Sequence, residues 1–339
     1  MTFLQLLWFI LIGVLFSGFF FLEGFDFGVG MSVQTLAHND EEKDLVVETI
    51  GPVWDGNEVW LLTAGGAMFA SFPFWYASLF SGYYLILFVI LIGLIIRGVS
   101  FEFRNRVPFE QKHIWNWTLS IGSFIVPFFF GVMFISMVQG MPIDAHGDMM
   151  AHFTDYFNLF SIVGGVAVAL LCYLHGLNYI ALKTMGPLRE RARNYAELLY
   201  WVLYVGLVVF AILMYFTTDF FNVHPMATPV ILAVIIALTV IANIAVFRGG
   251  DLVAFLSSGL SLVSVVVLLF TGLFPRVLIS STNSKYDLLI RNSSSSPYTL
   301  KIMSIVALTI LPFVLAYTAW TYYVFRKRMK LTRLNTVED

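Results

Sequence analysis

The sequence predicts an all-α, polytopic integral membrane protein with nine transmembrane helices, its N-terminus outside and its C-terminus in the cytoplasm. Three observations carry that prediction. The 339 residues are 59% hydrophobic and 12% charged, with a mean hydropathy of +0.84, whereas a soluble domain holds about a quarter charged residues. The apolar residues fall into runs of the length a bilayer needs, about 20 helical residues each. Lys and Arg gather in alternate loops, as the positive-inside rule requires. The net charge of −2 argues against a nucleic-acid partner. The single cysteine, Cys172, excludes an internal disulfide and any CxxC metal site.

The chain reads as one transmembrane domain over 1–339, with no internal repeat and no linker between soluble parts. The first span, 4–33, follows an N-terminus without the basic stretch of a cleaved signal peptide, so it is expected to stay. The second, 45–72, contains Pro52, which is expected to kink it by removing a backbone hydrogen bond. The third covers 75–103 and the fourth 117–139. The remaining spans are 158–182, 196–217, 228–247, 252–274 and 300–326, the longer ones tilted or extended beyond the lipid. With the N-terminus outside, 15 of the 19 basic residues lie on the cytoplasmic side, ending in RKRMKLTR. Loops 140–157 and 218–227 carry neither Lys nor Arg. The serine run 293–296 reads as a polar turn.

Charged residues inside these spans require a separate explanation. Glu23 and Asp26 lie three apart in GFFFLEGFDFGVG and share a helix face. Gly24 and Gly28 form a GxxxG step, with Gly30 beyond, which lets another helix approach. In GPVWDGNEVW, Asp55 and Glu58 are again three apart, and LIIRGVSFEFR adds Arg97 and Glu102. Counting along alternating spans puts Asp26, Asp55 and Arg97 at one depth, roughly 15 Å from the inner ends, with Glu102 nearer the cytoplasm. An ionised carboxylate at a helix centre costs about 2.5–3.5 kcal/mol on the lenient scale. Several carboxylates around one guanidinium are therefore expected to share protons, and such groups can carry them. Buried ionisable residues of this kind mark ion pathways more often than packing contacts. His175 is the only histidine well inside a span; as a metal or haem ligand it has no second histidine at its depth, and a packing role fits it better. No metal site is expected.

These motifs together resemble subunit II of the cytochrome bd-type quinol oxidases. The resemblance rests on EGFDFGVG, IGPVWDGNEVWLLTAGGAMFASFP and SGYYLILFVILIGLIIRGVSFEFR, then on WNWTLSIGSFIVPFFFGV, LFPRVLISS, NSSSSPYTLKIM and LAYTAW, in that order along nearly the whole chain. It implies a bacterial cell-membrane oxidase that oxidises quinol and reduces dioxygen to water in the aerobic respiratory chain. It also implies two four-helix bundles plus one peripheral helix. The two b-type haems and the haem d would be held mainly by subunit I, the principal partner. A small accessory subunit, quinone and lipid would be further partners. The proton path implied from the cytoplasm carries over onto Asp26, Asp55, Arg97 and Glu102, with Glu23 and Glu58 at positions where the family varies. The GxxxG face of the first span is the expected contact with subunit I. A proton-coupled secondary transporter would also bury carboxylates, but it shows interrupted helices in two related halves. Here Pro52 and the GxxxG step of Gly24 and Gly28 lie in the first third and are read without a counterpart in a second half.

Overall fold

A computed structural model describes residues 1–330. Its helices follow in chain order. The first five are α1 (Phe3–Thr35), α2 (Asp40–Glu48), α3 (Trp54–Ser71), α4 (Pro73–Gly82) and α5 (Tyr84–Phe103). Next come α6 (Lys112–Gln139), α7 (Phe153–Tyr156), α8 (Leu159–Lys183), α9 (Pro187–Thr217) and α10 (Phe220–Val223). Then α11 (Ala227–Phe247) and α12 (Asp251–Leu273) precede two short antiparallel strands, β1 (Arg276–Leu278) and β2 (Leu288–Leu289). The single turn α13 (Ile290–Ser293) leads into α14 (Pro297–Val324). Among the described residues, eight helices are long and apolar enough to cross a membrane: α1, α5, α6, α8, α9, α11, α12 and α14.

The expected second and third spans are not continuous helices. The run 45–72 divides into α2 and α3, because the backbone turns between Glu48 and Trp54, where Pro52 lies. Asn39 caps α2 by accepting from the Glu42 amide (2.9 Å), and its first turn is acidic, as a helix N-terminus favours. The run 75–103 divides at Tyr83 into α4, which starts at Pro73, and α5. In contrast, α9 begins nine residues before the expected 196. Its first turns, PLRERARNYAE, are polar but helical, with Pro187 at the first position after Gly186 (φ +72°). Hydropathy detects the lipid-facing part of a helix and misses such extensions.

Helix α1 lies at the centre, packed against α3, α6, α8 and α12. Its glycines explain how. A β-carbon at Gly28 would collide with the Cys172 carbonyl and the backbone of Gly176 on α8, and one at Gly30 would collide with Ser123 on α6. The GxxxG face is therefore consumed inside the chain, and the expectation that it meets subunit I is corrected. Close helix approach needs small residues on both sides, and Gly176 was the unseen half of the pair.

Basic loops meet at one end of the helical array. There Arg191 pairs with Glu42 (2.5 Å), Arg104 with Asp44 (2.5 Å), and Arg189 with Asp251 (2.6 Å). At the opposite end the segment 275–296 ties the array together. Met141 N donates to Ile279 O (2.9 Å), and Arg276 grips Asp219 with both Nη atoms (2.6 and 2.9 Å). The serine run does more than turn. Gln5 Nε2 donates to Ser294 Oγ (2.7 Å), Ser295 N donates to Ser71 O (2.8 Å), and Ser296 caps α14.

Candidate functional site

Three helices bring ionisable groups together in the interior. From α1 come Glu23 and Asp26, from α5 Arg97, all three fully buried, and from α3 Glu58, whose side chain is 23% exposed. The Arg97 guanidinium forms an ion pair with Glu23, and its Nη1 lies 3.8 Å from Glu58 Oε2. The same group sits over the rings of Phe27 (4.9 Å) and Phe101 (5.3 Å), which face the cation while excluding water. Trp54 stacks on Phe101 (4.5 Å) and closes that side.

Asp26 belongs to a second chain of contacts. Asn57 Nδ2 donates to Asp26 Oδ2 (2.7 Å), and Tyr322 OH on α14 donates to Asn57 Oδ1 (2.8 Å). Among the described residues, Asp26 Oδ1, Glu23 Oε2 and the Nε and Nη2 of Arg97 have no hydrogen-bond partner. Such a centre is polar and, among the described residues, incompletely satisfied.

The structure separates the six residues proposed from sequence. Glu23, Asp26, Glu58 and Arg97 come together. Asp55 does not: it is exposed in the first turn of α3. Residues two apart on a helix point about 200° apart, so once Asn57 faces Asp26, Asp55 faces away. Glu102 is also outside the centre, exposed and paired with Arg106 (3.2 Å). Two contributors were missed. Asn57 carries no charge to mark it between Asp55 and Glu58, and Tyr322 lies in an aromatic stretch where a hydroxyl leaves no periodic signal. Asp44 was missed too. It holds both Arg104 and Lys112 (2.7 Å), and Arg104 Nε reaches Asn116 Oδ1 (2.5 Å) at the basic end of the array.

His175 is fully buried with both ring nitrogens engaged, Nδ1 with Ser258 Oγ (2.8 Å) and Nε2 with Phe21 O (3.0 Å). Its ring stacks on Phe255 (4.7 Å). Neither nitrogen is left for iron, so its surroundings do not fit an axial haem ligand. No group of three His, Cys, Asp or Glu among the described residues is arranged to hold a metal ion. An apolar cleft of about 630 Å³ opens between α3, α4, α5 and α6. Trp75 lines it, 2% exposed, and its indole N–H has no hydrogen-bond partner among the described residues.

Fold and site define a polytopic membrane protein with a cluster of buried ionisable groups inside its helices. The family model for cytochrome bd terminal oxidase subunit II matches residues 4–325, and the chain belongs to that family. It is 48% identical over 324 residues to cytochrome bd ubiquinol oxidase subunit 2 of Bacillus subtilis, covering 95% of this chain and 96% of that one. It is 32% identical to cytochrome bd-I ubiquinol oxidase subunit 2 of Escherichia coli K12, covering 94% and 93%. The fold matches a chain in the structure of bd oxidase from Geobacillus thermodenitrificans at a TM-score of 0.75 and 14% identity, covering 96% and 99%. The chain is a multi-pass protein of the bacterial cell membrane, and the secondary-transporter reading has no support.

Proposed function

We propose that this chain, as subunit II of a quinol:oxygen oxidoreductase, docks on subunit I and delivers protons from the cytoplasm toward that subunit's oxygen-reducing site. The observation that carries the reading is the buried centre of Glu23, Asp26, Glu58 and Arg97, extended through Asn57 to Tyr322. Arg97 holds the acids in place and offsets their charge. Glu23 and Asp26 share a proton, and Asn57 orients the Asp26 carboxyl. Partly exposed Glu58 is the point of exchange, and Asp55 and Glu102 gather protons at the surface. Uptake from the cytoplasm, with quinol protons released outside, generates a membrane potential without pumping.

The same reading takes the chain as one transmembrane domain with its N-terminus outside. The two b-type haems and haem d lie in subunit I, where they supply the electron transfer and oxygen chemistry. The outward side of α3 suits the partner, because β-carbons added at Gly56, Gly65 and Gly66 would meet nothing within 4 Å. The cleft beside Trp75 suits a quinone or lipid tail, with the indole N–H donating to a carbonyl. A small accessory subunit completes the set of partners.

The test is Asp26→Asn in the assembled oxidase, which keeps the contact with Asn57 but cannot take up and release a proton. Quinol-driven oxygen uptake is expected to fall by about 10²–10⁴-fold with haem content unchanged, the range of a positioned acid–base group. Full oxygen uptake in this variant refutes the path.

A further inference from the structure

At the basic end of the array three guanidinium groups converge on one carboxylate. Asp251, at the start of α12, is 4% exposed. Its Oδ2 accepts from Arg189 Nη2 (2.6 Å) and Arg328 Nη2 (2.9 Å), and its Oδ1 from Arg193 Nη2 (2.6 Å) and Nε (2.8 Å). Among the described residues no second carboxylate lies within 4.0 Å of any of the three. Fastening α9, α12 and the stretch after α14 to one another explains the carboxylate and one arginine. It leaves two like charges in excess, held close at a cost. Their donors are also only partly used: Nη1 of Arg189 and of Arg193, with Nε and Nη1 of Arg328, donate to no described residue.

Beside this cluster a groove of about 490 Å³ runs between α9 and α11, lined by Glu197, Trp201, Asn243, Ile244, Phe247 and Arg248. Arg193 joins the two features, since its Nη2 also donates to the carbonyl of Gly249 (2.9 Å), the residue after Arg248. Arg248 is exposed and forms no ion pair with a described residue. Trp201 and Phe247 stand open at the sides of the groove, 67% and 77% exposed. Glu197, one turn deeper than Arg193, is its only acidic lining residue.

We propose that this is a binding site for an anionic glycerophospholipid, its phosphate held by the free N–H groups of the arginines and its acyl chains lying along the α9–α11 groove. Planar guanidinium groups match phosphate oxygens in pairs, and a basic recess between membrane helices on the cytoplasmic side is where anionic headgroups dock. Trp201 stands where an interfacial aromatic would flank the lipid. A phosphate supplies the charge that Asp251 alone does not. Because Arg328 is in the cluster, and Lys183 donates to the carbonyls of Phe325 and Lys327, the lipid would also secure the segment that follows α14.

The purified two-subunit oxidase is titrated with phosphatidylglycerol, phosphatidylcholine or inorganic phosphate, reading the thermal unfolding midpoint and the lipid retained by mass spectrometry. Phosphatidylglycerol is expected to raise the midpoint at concentrations where the other two do not. Arg248→Gln should weaken its apparent affinity about tenfold, the scale of one charge-assisted contact, with haem spectra intact. Arg193→Gln should weaken it further. Should that variant fail to assemble, Arg248→Gln decides alone, because its side chain is exposed and pairs with no carboxylate among the described residues. An equal response to phosphatidylcholine, an unaltered response in Arg248→Gln, or an equal shift with inorganic phosphate alone overturns the proposal.

Discussion

Asn57 shows how one side chain settles the roles of its neighbours. Its amide donates to Asp26 and its carbonyl accepts from Tyr322, which fixes the rotation of α3 and turns Asp55 out of the centre. Asp55→Asn is therefore expected to lower oxygen uptake by less than about tenfold, far below the effect at Asp26, because a surface acid is one proton collector among several. A loss at Asp55 as large as at Asp26 would show that the outward face of α3 takes part in the path. Arg97 is expected to behave in the opposite way. Its removal leaves Glu23 and Glu58 without their cation, a cost of about 3–5 kcal/mol for a broken buried pair. Arg97→Gln should thus reduce the yield of haem-loaded complex itself, measured by the visible spectrum per unit of subunit I. The acids and the arginine were legible in the sequence because charge stands out in an apolar run. The choice between Asp55 and Asn57 was not, since the break after Glu48 resets the helical phase and sequence spacing carries no absolute rotation.

The elements were legible to different degrees for a related reason. Apolar length marked α6, α8, α11 and α12 near their observed ends, because lipid rewards continuous hydrophobicity. The same criterion merged α2 with α3 and α4 with α5, where backbone turns interrupt an unbroken apolar composition. Glycine spacing correctly marked α1 as a helix that others approach, yet a motif on one helix does not name its partner. The partner is α8, and its contact gives a test. Gly28→Val places side-chain atoms against the Cys172 carbonyl and Gly176, which are backbone and cannot rotate away. Overpacking of this sort costs about 1–3 kcal/mol. The expected outcome is a lower unfolding midpoint and less assembled oxidase. The same change at Gly66, where nothing lies within 4 Å in this chain, should leave the isolated fold intact.

At the scale of the whole molecule, the chain keeps a large apolar surface, with Leu62, Phe69, Leu85 and Leu91 among many exposed side chains on α3 and α5. Lipid can cover that surface, but it cannot complete a polar centre that opens through Glu58. Expressed without subunit I, the chain is expected to show no haem d band and to turn over faster, and co-expression should restore both. A lone, stable, haem-loaded chain would contradict this. The last helix makes a different demand. Only Leu300 and Ser304 of α14 are buried, so little packing holds it, yet it supplies Tyr322 to the centre. A ribosome feeding this chain into the bilayer releases α1, α3 and α5 long before α14 appears. Throughout that interval Asn57 lacks its final donor, and the assembling protein carries an unfinished polar core. Completion of translation is thus built into maturation of the site. A membrane protease that senses unsatisfied polar groups would see the difference between a stalled chain and a finished one.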